Sequence, residues 1–214
     1  MRSFGWIFFA ACGSIRWSSS WSFGAPISSK HTHFEGTTTL EADVFGFRRE
    51  DIKERIASSG GPRADAVNPN VHEITAGVVY KDSRVTVRAF AVPHSAWKYA
   101  FGYRIDTPDR SIVISGDTRE SDAIAKACDG CDVLIHEVYS DEGFAKNVPP
   151  VRQTYHAQAH TSATQLGAIA TNAKAKLLIL THILFFGSSD DQVLSEVRRT
   201  FKGTVVLPKD LQVF

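Results

Sequence analysis

The chain has 214 residues, 43% hydrophobic and 22% charged, which places it among globular proteins with a sizeable core. A formal net charge of +1 removes any general electrostatic case for nucleic acid or a membrane surface. Three cysteines, Cys12, Cys128 and Cys131, imply no disulfide framework, and no stretch reaches the roughly 18–20 apolar residues of a membrane span.

The first forty residues are rich in serine and hold Trp6, Trp17 and Trp21. They predict a divergent, poorly ordered N-terminus, residues 1–40. The short apolar run Phe4 to Ala11 has the outline of a leader, so a cytoplasmic location is expected unless that run directs export. His31-Thr-His33-Phe-Glu35 could grip a metal, but it follows a Gly-Ala-Pro loop rather than a strand, and solvated histidines are expected there.

Glu41 to Ala57 reads as a helix stopped by Ser58-Ser-Gly-Gly-Pro62, and His72 reads as surface. Val78 to Tyr80 and Val85 to Val92 predict a hairpin, the second strand ending at His94. Ala100 to Asp106 and Ser111 to Ser115 predict a second hairpin. The apolar run Ile112-Val-Ile114 has the pattern of a strand buried on both faces, with Asp117 just past a glycine at its end. Ser121 to Cys128 is a short helix. Cys128-Asp-Gly-Cys131 has C-x-x-C spacing but no second pair for a zinc knuckle, so it reads as structural.

Val133 to Ile135 predicts a strand ending at His136-Glu137. Thr161 or Ser162 caps a helix running to Asn172, and Leu177 to Leu180 is a strand ending at His182. An amphipathic helix over Asp190 to Phe201, then strands at Thr204 to Val206 and Leu211 to Phe214, close an α/β chain. Residues 41–214 are taken as the C-terminal two-thirds of one domain. Imidazole and carboxylate groups at successive strand ends are the usual ligands of zinc, and a metal there lowers the pKa of water towards 7.

Val92-Pro-His94, Phe101-Gly-Tyr-Arg, Ser115-Gly-Asp117-Thr, Leu134-Ile-His-Glu137, His160-Thr-Ser162 and Leu180-Thr-His182 stand in the order of the metallo-β-lactamase fold. From about Arg48 onward the chain resembles the ribonuclease Z-like branch of that family. The resemblance implies an αββα sandwich with mixed sheets, here incomplete, and two metal ions, usually zinc, with manganese as an alternative. It implies His94, Asp117 and His182 as metal ligands and His160 with Glu137 as the catalytic pair. His136, Thr118 and Thr161 would support them. The family's H-x-H-x-D-H signature is not found. That departure makes weak zinc binding and poor turnover the expectation for the chain as written. The long arm of many transfer-RNA-processing relatives is also absent between His94 and Asp117. A metal-dependent hydrolase of a small ester or phosphodiester is therefore expected, with RNA a less supported partner and a homo-oligomer allowed. The alternatives are an inactive remnant of the family or a binding protein keeping half of the fold.

Overall fold

The computed structural model describes Ala57 and residues 74–213. The expected N-terminal region, His31, His33, His72 and all of the Glu41 to Ala57 helix except Ala57 lie outside the described residues. Ala57 is helical and exposed.

Among the described residues, seven strands form one mixed sheet in sequence order: β1 (Gly77–Lys81), β2 (Thr86–Ala91), β3 (Phe101–Asp106), β4 (Ser111–Ile114), β5 (Val133–Tyr139), β6 (Leu177–Leu184) and β7 (Thr204–Val206). Neighbours from β1 to β4 are antiparallel and neighbours from β4 to β7 are parallel. The helices are α1 (Asp122–Cys128), α2 (Asp141–Asn147), α3 (Pro150–Ala159), α4 (Ala163–Asn172) and α5 (Asp190–Thr200). Crossovers through α1, through α2 to α4, and through α5 join the parallel strands, as parallel pairing requires. This is the mixed α/β sheet layer that the sequence resemblance implied.

The topology gathers the strand ends. β2 runs antiparallel to β3, and β3 antiparallel to β4, so two reversals point β2 the same way as β4. The carboxyl ends of β2, β4, β5 and β6 therefore share one edge, where open α/β sheets usually bind ligands. On the covered face Val113, Leu134, Leu178 and Leu180 pack with Ile124 of α1, Leu166 and Ile169 of α4, and Val193 and Val197 of α5. Each fully buried side chain of this kind contributes about 1.5–3 kcal/mol. The short caps follow the sequence closely. Ser121, Ser162 and Ser189 cap α1, α4 and α5, and Ser162 with Gln165 forms a reciprocal capping box.

Several expectations are corrected. β5 continues past Glu137 to Tyr139, and β6 continues past His182 to Leu184. Neither α2 nor α3 was anticipated. Residues 211–213 form no strand, and Leu211 is exposed. Cys128 and Cys131, read as structural although no disulfide framework was implied, are both buried and joined in a disulfide.

Gly167 of α4 faces α5 at close range. A Cβ there would press on Val197 O, Thr200 Oγ1 and Phe201 N. Gly→Ala inside a helix ordinarily gains about 1 kcal/mol of propensity. Overpacking against a backbone carbonyl costs about 1–3 kcal/mol and opposes that gain. Gly167→Ala is therefore expected to lower the urea midpoint at unchanged slope, a net loss of about 1 kcal/mol. A raised midpoint would show that α5 gives way freely.

His136 is completely buried, and its Nδ1–H donates to the Glu137 carbonyl at 2.6 Å. Burial pulls its pKa down to about 4 from the ordinary 6.5. The unfolded chain then binds a proton that the folded chain refuses. Stability should fall as pH drops from 6.5 towards 4, by about 3 kcal/mol from this group. Melting curves across that window should show the decline, and His136→Gln should make it shallower. An equal acid decline in the variant would assign the loss to other groups.

Candidate metal-dependent hydrolase site

Each functional side chain reaches the shared edge by its own backbone device. Gly116, at φ 63, turns the chain beyond β4 and delivers Asp117. His182 sits in a bulge of β6. Thr181 pairs with Glu137 and Ile183 with Val138, which leaves His182 with no partner opposite it on β5. Its φ of 41 is left-handed, a strained setting for a non-glycine residue, and the bulge re-aims the imidazole towards the cluster. His160 is the C-cap of α3, two residues before the Ser162 cap of α4.

The ligand atoms of Asp117, His160 and His182 all lie within 4.8 Å of one another. His182 Nδ1 stands 3.3 Å from Asp117 Oδ1. Both atoms are buried and without a hydrogen-bond partner. Unpartnered, electron-rich donors turned on one another fit a cation, because an apolar filling would leave each at the full desolvation cost. The donor set of one carboxylate and imidazoles suits zinc and its borderline neighbours.

His94 stands one ring further out. Its ring meets the His160 ring edge-on at 5.4 Å. Its Nδ1 lies 2.7 Å from Ala159 O. A carbonyl can only accept, so the proton is on Nδ1 and the Nε2 lone pair is left for a ligand. The close trio is Asp117, His160 and His182, and His94 adjoins it through the His160 ring.

Glu137 lies beneath His160, its Oε1 3.4 Å from His160 Nδ1. The same oxygen accepts from the backbone N–H groups of Thr118 at 3.2 Å and Thr161 at 3.1 Å. Burial raises the Glu137 pKa well above the ordinary carboxylate value. The Asp117 charge raises it further, against the two N–H donors. Burial lowers the His160 and His182 pKa values, and in both the Asp117 charge opposes the fall. Burial thus disfavours separate charges on Glu137 and His160, which suits a pair sharing one proton.

Thr118 and Thr161 are fully buried and tie three loops together. Thr161 Oγ1 donates to Thr118 O at 2.7 Å, and Arg119 N donates to Pro93 O at 2.9 Å. His136 has no ring contact with the cluster among the described contacts. Alternation along β5 turns it to the other face from Glu137.

Residues 26–183 match the sequence profile of the Beta-lactamase superfamily domain. The chain belongs to this superfamily. The match takes in His31 and His33, beginning ahead of the Arg48 limit set by the motifs. The ribonuclease Z of Mycobacterium tuberculosis (strain ATCC 25618 / H37Rv) is 29% identical over 177 residues, 80% of this chain and 63% of that protein. The ribonuclease Z of Mycobacterium avium (strain 104) is 29% identical over 178 residues, 82% of this chain and 63% of that protein. The chain thus spans a little under two thirds of the length of these relatives. Among solved structures, human tRNase Z, short form, is 25% identical with a TM-score of 0.43, covering 63% of this chain and 43% of that one. The chain is similar to these ribonuclease Z proteins.

Sequence reasoning missed His156. It lies on α3 with its ring 6.0 Å from that of His160, and its Nδ1 is buried without a partner. The spacing of four residues before His160 was the available signal, since i and i+4 share a helix face.

Proposed function

We propose that this protein is a metal-dependent hydrolase that sends water onto an ester or phosphodiester. The observation that carries the reading is the unpartnered pair Asp117 Oδ1 and His182 Nδ1, 3.3 Å apart in a buried cluster that already holds a histidine–carboxylate pair. Asp117 and His182 would hold the cation, with His94 through Nε2 and His160 within reach. A divalent cation bound there supplies a low pKa for water and polarises the scissile centre.

This chain's own residues supply the rest. Glu137, fixed by Thr118 N–H and Thr161 N–H, orients His160 through Nδ1. The other ring nitrogen of His160 is then free to hand a proton to the leaving oxygen, in general-acid fashion. Zinc is the favoured ion and manganese the alternative. The resemblance to ribonuclease Z proteins makes RNA a candidate phosphodiester, while the near-zero net charge favours a small substrate.

The test uses the purified full chain, with calorimetric titration of zinc and of manganese. Turnover is then followed on a small phosphodiester, a carboxylic ester, a lactam and a short RNA. Ion binding with turnover of one ester class is the expected result. A chain that binds neither ion and cleaves none of the four would overturn the reading in favour of an inactive or binding protein.

A further inference from the structure

Glu196 is a carboxylate that the proposed chemistry does not use. It shares the inward face of α5 with Val193 and Val197, and none of it is exposed. A carboxylate buried so fully must have its oxygens filled, and four donors fill them. Oε2 accepts from Asp141 N at 2.9 Å. Oε1 accepts from Gln192 Nε2 at 3.0 Å, Glu142 N at 3.1 Å and Ser140 Oγ at 3.2 Å. The two backbone N–H groups are orphan donors in the first turn of α2. Ser140, the cap of α2, spends its own oxygen on Gly143 N. A side chain of α5 thus completes the start of a helix that comes much earlier in the chain.

Two arms lead from this carboxylate towards two histidines of the close trio. One runs through Asp141. Its Oδ2 accepts from Thr164 N at 2.8 Å and Thr164 Oγ1 at 2.9 Å, which fixes the first turn of α4. His160 stands two residues ahead of the Ser162 cap of that helix. The other arm runs through Ser140. A carboxylate can only accept, so the Ser140 hydroxyl proton goes to Glu196, and Ser188 Oγ donates to Ser140 Oγ at 2.7 Å. Ser140 N donates to Leu184 O at 3.1 Å, two residues beyond His182. α2 lies so close to this loop that a Cβ at Gly143 would meet Phe185 O and Ser188 Oγ. His160 and His182 come from different elements, yet their ring centroids are 5.4 Å apart. A displacement of about 1 Å in such a pair costs up to about 10²-fold in rate. We propose that Glu196 is a positioning residue that sets His160 against His182 through Asp141 and Ser140. The inference rests on the hydrolase reading for the effect on rate, and on the hydrogen bonds of Glu196 for the spacing itself.

The experiment uses the zinc-loaded full chain with bis(4-nitrophenyl) phosphate as the probe, at a temperature below every melting transition. Glu196→Ala should lose about thirtyfold in kcat and Asp141→Ala, which cuts one arm, about tenfold, with KM within about twofold of wild type. Asp141→Asn keeps an oxygen for Thr164 and should recover to within about twofold of wild type. Val193→Ala, on the same buried face but in the apolar core, should melt lower and keep its kcat. An equal kcat loss in Val193→Ala would overturn the inference, as would an unchanged kcat in Asp141→Ala or an Asn variant no better than Ala. If Glu196→Ala does not fold, the two Asp141 variants decide alone. Absence of turnover in wild type would count against the hydrolase reading and pass the decision to metal-free protein carrying nitrogen-labelled histidine. Asp141→Ala should then move the His160 ring signal, assigned with His160→Gln, and Val193→Ala should not. A signal that stays in place, or moves equally in both variants, would overturn the inference.

Discussion

Asp117→Ala is expected to release the metal and to lower kcat/KM by at least about 10³-fold. Asp117 is the one carboxylate in the close trio with His160 and His182, and its Oδ1 has no hydrogen bond to protein. Its negative charge is what offsets a divalent ion at this edge. A factor of 10³ corresponds to about 4 kcal/mol, in the range that a Lewis-acid metal supplies to the transition state. The substitution should leave the melting temperature of the metal-free protein little changed or raised. It removes a charge that faces Glu137 and leaves no broken hydrogen bond. Metal content after dialysis, kcat/KM and metal-free melting are the three measurements. A variant that keeps both its ion and its rate would move the metal site away from Asp117.

Glu137→Gln separates catalysis from stability. General acid–base assistance is worth about 10²–10⁴-fold, so turnover should fall by a factor in that range. The amide can still accept from Thr118 N–H and Thr161 N–H, yet it cannot stabilise a charged His160. Stability should move the other way. The Glu137 pKa is raised in the fold, so its contribution is intact below the unfolded value of 4.5 and is lost as pH rises towards the folded value. At neutral pH the buried carboxylate therefore weighs against the metal-free fold, and Gln relieves it. The metal-free variant should melt at or above wild type at pH 7, with the gap closing below pH 4.5. A variant that melts well below wild type at pH 7 would mean that the two N–H bonds need the ionised oxygen more than burial penalises it.

The helical and strand signals reached far along the chain because they are local. Val85, Val87 and Ala89 alternate with polar neighbours and are buried as that alternation requires. Ile112-Val-Ile114 became β4, and the caps at Ser121, Ser162 and Ser189 act at the helix starts their sequence suggests. The strand-end placement of His94 and Asp117 was legible for the same reason. An apolar run and the polar residue that ends it are adjacent in sequence.

Other features depend on partners distant in the chain. The bulge at His182 exists only because β5 and β6 pair with a register shift, and neither strand alone carries that information. Glu196 lies on the amphipathic helix α5. In the fold it is fully buried and accepts from Asp141 N at 2.9 Å, Glu142 N at 3.1 Å and Ser140 Oγ at 3.2 Å. These three partners lie more than fifty residues earlier, so its burial is set by tertiary packing. The same holds for the packing of His156 on Phe186, which the loop after β6 supplies.

The sequence by itself determined the α/β character, the helix caps, the buried central strand and the family motifs, because each is written in residues a few positions apart. Tertiary structure alone decided which three donors converge and which ring nitrogen of His94 is open. Those depend on strand direction, register and backbone bulges, which only the assembled sheet defines.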